Sequence, residues 1–328
     1  MDFFPSYRNL LNSGELCRRA EIAYRNLVSC TSCPRDCEAN RIKGEYGICT
    51  SGYLPVISSY TPHFGEEPVL SGTRGAGNIF FGNCNLKCIY CQNYEISQNP
   101  LSEKKNEVTH ERLAEIMIEL QNSNCHNIGL VSPTHFSATI LKSIYLASQK
   151  GLELPIIYNT NGYDSVDMLK LYDGVIDIYL PDFKYGNSVF AKKYSLVDNY
   201  FEKAKEAIKE MFRQVGDKPV YNKGVMVRGM IIRHLILPND LSGTEKVFQF
   251  ITEELSPDVH ISLMSQYYPT NKTYKDILIN RSILNSEYEK ALELLDRYGL
   301  QNGWIQEMES SGTYRPEFNN DRINPFKN

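Results

Sequence analysis

Seven of the nine cysteines fall into two tight groups. Cys84, Cys88 and Cys91 lie in FGNCNLKCIYCQN, residues 81–93, spaced C-x3-C-x2-C. Cys30, Cys33, Cys37 and Cys49 lie in CTSCPRDCEANRIKGEYGIC, spaced C-x2-C-x3-C-x11-C. Thiolates are ligands for soft metals, and four of them close either a tetrahedral zinc site or an iron–sulfur cubane. Spacing fits zinc and iron–sulfur equally well in the four-cysteine group. That group has little reason to exist as packing alone, and Gly44 and Gly47 permit the turns that such a knot needs. Three cysteines are a different case. They leave one corner of a cubane without a protein ligand, and an open metal position can take a small molecule. A three-thiolate zinc site completed by a distant histidine is the alternative. Only an irregular loop can wrap three thiolates around one small cluster, and Gly82 with its neighbouring asparagines suits one. Cys17 and Cys125 stand alone and read as small buried side chains.

These groups must be held by a substantial fold. The chain has 328 residues, 42% of them hydrophobic and 23% charged, enough for one large domain or two ordinary ones. A net charge of −4 and the lack of a Lys/Arg stripe argue against a nucleic-acid partner. The first residues, MDFFPSYRNLLNSGELCRRA, make a poor signal peptide, and no apolar run is long enough to span a membrane. Clustered thiols without a signal peptide suit a reducing, cytoplasmic setting.

Residues 13–27, SGELCRRAEIAYRNL, have helical spacing behind a Ser13 cap candidate. Residues 30–76 are short and turn-rich. From Gly77 onward apolar strands alternate with amphipathic helices about six times: GNIFFGN, HERLAEIMIELQNSN, NIGLVSPT, FSATILKSIYLASQKG, LPIIYNTNG, DSVDMLKLYDG, GVIDIYLPD, a helical stretch over 187–215, GMIIRHLILPN, GTEKVFQFITEEL, VHISLMS and NSEYEKALELLDRYGL. Strands that are apolar throughout, joined by such helices, indicate a parallel sheet covered by helices. It is either doubly wound or a barrel. Polar motifs follow successive strands (NCNLKC, SPTH, NTNG, PDFK, LPN), and in a barrel these loops converge on one face. The fold expected is α/β, a partial (β/α)6 TIM-type barrel with a small N-terminal cysteine-rich metal-binding segment. Its divisions are 1–76 for the N-terminal helix and four-cysteine segment, 77–300 for the barrel, and 301–328 for a C-terminal extension.

The C-x3-C-x2-C array, with Tyr90 as the aromatic before the last cysteine, resembles the radical S-adenosylmethionine (SAM) superfamily. The strings HFGEEPVLSGTRGAGNIFFGNCNLKCIYCQNYEISQ, VSPTHF, YNTNGYD, DIYLPDFKY and RHLILPN resemble its pyruvate formate-lyase activating-enzyme-like subgroup, from Cys30 to about Pro269. The resemblance implies a [4Fe-4S] cluster on Cys84, Cys88 and Cys91 whose open iron takes SAM, and a 5′-deoxyadenosyl radical that removes hydrogen from a substrate. It implies a flavodoxin- or ferredoxin-type reductant. It also suggests a glycyl-radical protein as substrate, with another peptide, a small molecule, or a non-catalytic electron-transfer role as alternatives. No catalytic side chain is assigned.

The resemblance also implies cofactor contacts. Where the superfamily carries a Gly-Gly-Glu-like motif for the methionine amino group, this chain has Ser132-Pro133-Thr134, so Ser132 and Thr134 offer oxygens without a carboxylate. Asn159 and Asp182 follow the third and fourth strands, and Lys184 is placed to pair with the methionine carboxylate. Arg233 and His234 alternate faces of one strand; Arg233 is assigned the interior and His234 a packed position. His135 lines the cavity or caps a turn. His63, Glu66 and Glu67 precede the cysteine loop, the two glutamates reading as a surface turn or as a site for a cation.

Overall fold

The computed structural model describes residues 3–308 and 316–326. A nine-stranded sheet forms its centre: β1 (Ile57–His63), β2 (Ala76–Phe81), β3 (Ile128–Val131), β4 (Ile156–Thr160), β5 (Ile178–Pro181), β6 (Val220–Asn222), β7 (Val225–Leu235), β8 (His260–Met264) and β9 (Gly303–Ile305). The spatial order is β1-β2-β3-β4-β5-β7-β8-β9, with β6 folded back on β7. β2 through β9 pair in parallel along that path, β1 is antiparallel to β2, and β6 is antiparallel to β7. Strand order that follows sequence order has no reversal point, which marks a barrel wall rather than a doubly wound sheet. Among the described residues β1 and β9 do not pair, so the barrel is partial.

Alternation along each strand sorts the side chains onto two faces. Ile79, Phe81, Ile128, Leu130, Tyr158, Tyr179, Ile232 and Leu263 pack with the surrounding helices in the main core. Ile157, Ile178, Leu180 and Ile231 point the other way and meet Leu70 in the barrel interior. Helix His110–Asn122 shows why the covering layer forms. Thr109 caps it by accepting from the Arg112 N–H, and Leu113, Ile116, Met117 and Leu120 make one buried stripe.

Three elements differ from the sequence reading. Helix Glu15–Arg25 starts behind Gly14, at φ 77°, because Ser13 closes a preceding helix, Tyr7–Asn12. The stretch over 187–215 is two helices, Ser188–Ser195 and Tyr200–Val215. Leu196 and Asn199, at φ 52° and 53°, break it where periodicity alone continued. The sheet also crosses both expected boundaries: β1 comes from the segment assigned to residues 1–76, and β9 from the extension assigned to 301–328. Part of that extension, 309–315 and 327–328, lies outside the described residues. No helix among the described residues is long and apolar enough to cross a membrane.

Candidate functional site

The three-cysteine loop leaves the C-terminal end of β2. Asn83, at φ 66°, turns the chain, and a side chain at Gly82 would press within 2.6 Å of Val56 and 2.9 Å of the Ser58 hydroxyl. The broken helix pair then clamps the loop: Lys87 N–H donates to the Ser195 carbonyl at 3.1 Å and Ile89 N–H to the Tyr194 carbonyl at 2.9 Å. Every sulfur meets a polar group. Cys84 Sγ accepts from Leu86 N–H at 3.4 Å and from Asn161 Nδ2 at 3.6 Å. Cys88 Sγ accepts from the Ser195 hydroxyl at 2.9 Å, and Cys91 Sγ lies 3.2 Å from the Ser97 hydroxyl. The thiols also feel one another. Burial chiefly, then Cys91 and Cys84 against the opposing pull of Lys184, push the Cys88 thiol up to about 12. Burial likewise raises Cys84 and Cys91. Three thiols on one loop, each supplied with a hydrogen-bonding partner, suit three corners of a cubane. Among the described residues no three Cys, His, Asp or Glu side chains meet around a point that a single ion could fill.

Lys184 is a largely buried cation at this site. Its Nζ lies 2.5 Å from Asp182 Oδ2, and it is close enough to Cys88 and Cys91 to feel their charge. Burial pulls its pKa down, but Asp182 and the thiols outweigh burial and hold it above the ordinary lysine value. Asn161, unassigned in the sequence, reaches both the Cys84 sulfur and Asn85 Oδ1, the latter at 2.7 Å. Ser132 sits at φ 59° with its N–H on the Asn159 carbonyl at 2.8 Å, which ties together the ends of β3 and β4. Asn159 shares the interior face with Ile157. Tyr90 packs edge-on against Tyr185 and Tyr267, at centroid distances of 6.4 and 5.9 Å, as part of a buried aromatic layer. Thr134 is buried too. Its hydroxyl lies 3.0 Å from that of Thr160, which in turn donates to Asp164 at 2.5 Å. Burial raises the Asp164 carboxyl above the usual range.

Arg233 does face the interior, two residues on from Ile231, whereas His234 is buried on the helix side, with Nδ1 on the Phe183 carbonyl at 2.8 Å and Nε2 on Thr244 at 3.0 Å. The Arg233 guanidinium is already committed: it pairs with Glu66 and bidentately with Glu67. Glu66 and Glu67 are therefore not a surface turn. Both side chains are at most 9% exposed, and Glu66 also accepts from Asn78 Nδ2 at 2.7 Å. Burial alone would raise the Glu66 carboxyl, but Arg233 holds it below the usual range. His63 packs on Phe326 of the C-terminal segment at 4.2 Å.

The four-cysteine segment lies directly against the three-cysteine loop. Arg35 Nε donates to the Asn85 carbonyl at 3.1 Å, and Asn83 Nδ2 to the Thr50 carbonyl at 3.4 Å. Arg41 is fully buried and donates to the Gly52 carbonyl, to the His135 carbonyl at 2.6 Å and towards Cys30 Sγ at 3.8 Å. His135 Nε2 is 2.8 Å from the Gly82 carbonyl. Burial drives its pKa down to about 3, so the ring is neutral and Nε2 carries the donated proton. Thus His135 ties the two cysteine groups together instead of lining a cavity.

The residues missed from sequence are Asn161, Ser195, Ser97, Arg41 and Asp164. Ser195 is 107 residues from its cysteine partner, and no local pattern could have paired them. Asn161 and Asp164 do lie in the NTNGYD string, where their position after β4 was the available signal.

A sequence model described as "Radical SAM superfamily" matches residues 78–236. "Uncharacterized protein MJ0674" of Methanocaldococcus jannaschii is 34% identical over 289 residues, 86% of this chain and 78% of that protein. "Uncharacterized protein MJ0808" of the same organism is 27% identical, over 75% of this chain and 72% of that protein. Solved structures resembling this one include methylornithine synthase (PylB), with a TM-score of 0.45 at 12% identity over 91% of this chain and 74% of that chain. HydG, a maturase of the [FeFe]-hydrogenase, has a TM-score of 0.46 at 12% identity over 73% of this chain and 53% of that chain. With its three-cysteine loop at the end of the first parallel barrel strand and the family match spanning the loops that surround it, the chain belongs to the radical SAM superfamily.

Proposed function

We propose that the chain cleaves SAM reductively at a [4Fe-4S] cluster held by Cys84, Cys88 and Cys91, and that the 5′-deoxyadenosyl radical so formed abstracts hydrogen from a peptide, such as the backbone glycine of a glycyl-radical protein. The observation that carries this reading is the three-thiol loop without a fourth ligand, with Lys184 beside it. Lys184, oriented by Asp182, offers a cation for the methionine carboxylate. Ser132 and Asn159 border the same rim through their shared hydrogen bond. Tyr90, Thr134 and Arg233 act on the cofactor at one remove. Tyr90 packs beneath the loop, Thr134 braces β3 on β4, and Arg233 with Glu66 and Glu67 sets the interior charge. The buried aromatic layer keeps water from the loop.

A peptide substrate is favoured over a small molecule because the face of β2 and β3 opposite the main core already accommodates a chain segment: Phe318 and Phe326 of the C-terminal segment pack on Phe80. A flavodoxin- or ferredoxin-type protein would supply the electron, and nine free thiols suit cytoplasmic residence. The four N-terminal thiols belong to the same reading as a second metal site. The test is anaerobic incubation of the reconstituted protein with SAM, a reductant and deuterated candidate peptides. 5′-Deoxyadenosine carrying deuterium identifies the donor. An absence of reductive cleavage in protein with its iron in place removes the reading.

A further inference from the structure

One row of interior side chains leads to the cysteine loop, and the C-terminal segment covers part of it. Strand register sets Phe80, Val131, Asn159 and Leu180 side by side across β2, β3, β4 and β5, on the interior face. Phe80 lies just ahead of Gly82 and Asn83, where the cysteine loop begins, and Val131 just ahead of Ser132. Ile96, packed with both, precedes Ser97, whose hydroxyl meets Cys91. Phe318 fills the hollow between Phe80, Ile96 and Val131, fully buried and edge-on to Phe80 at 5.5 Å. Phe326 also lies on Phe80, at 5.5 Å, and Arg322 between them reaches the buried Glu103 at 2.8 Å. Asn319 donates to Glu95 through its main-chain N–H at 2.9 Å and its side-chain amide at 2.8 Å.

The segment is seated on the barrel without being woven into it. Its main chain is tied to itself: Glu317 N–H to the Pro325 carbonyl at 2.7 Å, and Asn320 and Asp321 N–H to the Glu317 carbonyl at 3.0 Å. Ile323 and Asn324 N–H go to the Asp321 carboxylate at 2.8 and 3.0 Å. A short loop closed end to end in this way is a unit of its own. Among the described residues no main-chain hydrogen bond joins it to the sheet, whereas β1 and β9 are both laddered. Its withdrawal would also leave Glu103 with partners, the Ser58 hydroxyl at 2.5 Å and Asn106 Nδ2 at 3.1 Å. The match is chemical as well as spatial. The segment offers two aromatic rings flanking a cation, and the barrel offers an apolar hollow with carboxylates at Glu95 and Glu103.

We propose that the hollow of Phe80, Ile96 and Val131 is the docking pocket for a substrate peptide carrying an aromatic residue and, four positions on, an arginine, and that the C-terminal segment fills it in cis as a strap that the substrate displaces. This rests on the peptide reading above. A hydrogen donor has to lie beside the cysteine loop, and the strap sits on the side chains that lead there, so the two exclude each other. Displacement exchanges one ring for another against Phe80 and one cation for another against Glu103, so neither state is strongly preferred by its contacts. A tethered strap acts at an effective concentration on the order of millimolar, so the closed protein excludes a free peptide at micromolar concentration.

The probe is a fluorescein-labelled peptide PEFNNDRINPF, the sequence of residues 316–326, and the readout is fluorescence anisotropy with the full-length reconstituted protein, without SAM or reductant. Phe318→Asp with Arg322→Glu puts one carboxylate into the apolar hollow and another against Glu103, which releases the strap; circular dichroism checks the fold. This variant should bind the peptide at least tenfold more tightly than the wild type does. The peptide with Phe318→Ala and Arg322→Ala should bind it at least tenfold more weakly. Equal binding by the two proteins, equal binding of the two peptides, or no binding at all overturns the pocket. If the variant does not fold, hydrogen exchange in the wild type decides. Residues 316–326 should open at least tenfold more readily than β4 and β5, and protection equal to those strands makes the segment a fixed part of the barrel and overturns the strap. Because binding is read without turnover, peptide capture by a protein that never cleaves SAM removes the radical reading alone. SAM cleavage without peptide capture by the released variant removes the pocket alone.

Discussion

At the scale of single residues, the site is built from partners that the cysteines recruit from distant positions. The Ser195 hydroxyl donates to Cys88 at 2.9 Å, and such partners outside the ligand set change metal affinity or activity by about 10–100-fold. Ser195→Ala is therefore expected to lower cluster retention or 5′-deoxyadenosine formation by about that factor and to shift the cluster midpoint potential, measured by potentiometric titration. In the function proposed above, Lys184 serves the cofactor rather than the cluster. A charge-assisted hydrogen bond contributes about 1.5–3 kcal/mol, so Lys184→Met should weaken SAM binding about 10–100-fold while leaving the iron content unchanged. Equilibrium dialysis with labelled SAM reads the first and a colorimetric iron assay the second. The sequence carried the cysteines and Lys184 in their motifs; it carried Ser195 only as one more serine in a helix.

At the scale of elements, the interior of the barrel is set by one strand and one turn. Arg233 of β7 meets Glu66 and Glu67, about 166 residues away in the chain, ahead of β2. Removing one partner of a buried ion pair leaves a charge uncompensated, a cost of about 3–5 kcal/mol. Glu67→Gln should accordingly lower stability by that order in urea unfolding, with Glu66→Gln similar. The same group makes stability acid-sensitive. The Glu66 pKa lies below its unfolded value of about 4.3, so its contribution is complete above that pH and is lost as pH falls through the folded value. An unfolding midpoint that drops less steeply below pH 4.3 in Glu66→Gln than in the wild type checks the sign. The adjacent glutamates read equally well as a surface turn because a two-residue pattern says nothing about which strand end will cover it.

At the scale of the whole molecule, the face of β2 and β3 opposite the main core is covered by the chain's own C-terminal segment. Phe318 is completely buried against Phe80, Ile96 and Val131, and Arg322 reaches the buried Glu103 at 2.8 Å. Burying a phenylalanine contributes about 1.5–3 kcal/mol, so Phe318→Ala should free the segment at about that cost. Hydrogen exchange should then rise across residues 316–326 with little change in β4 and β5. Equal exchange in the two proteins would mean that the segment does not depend on this anchor. Residues 1–76 and 301–328 read as appendages because β1 lies in a turn-rich stretch, β9 is only three residues long and the sequence gives no register for either; the sheet takes them in because β2 and β8 would otherwise present unpaired edges.

The sequence alone determined what depends on local order. Cysteine spacing set the two cysteine groups, because thiols a few residues apart must share a loop. The period of the apolar residues set the alternation of strands and helices, because each face must be buried once. Tertiary structure alone decided what depends on distant contacts: the clamp on the cysteine loop by a helix broken at Leu196, the pairing of Arg233 with two glutamates, and the docking of one cysteine group on the other through Arg41 and His135. Buried polar groups must find partners, and which partner each finds depends on how the sheet curls, which no window of sequence encodes.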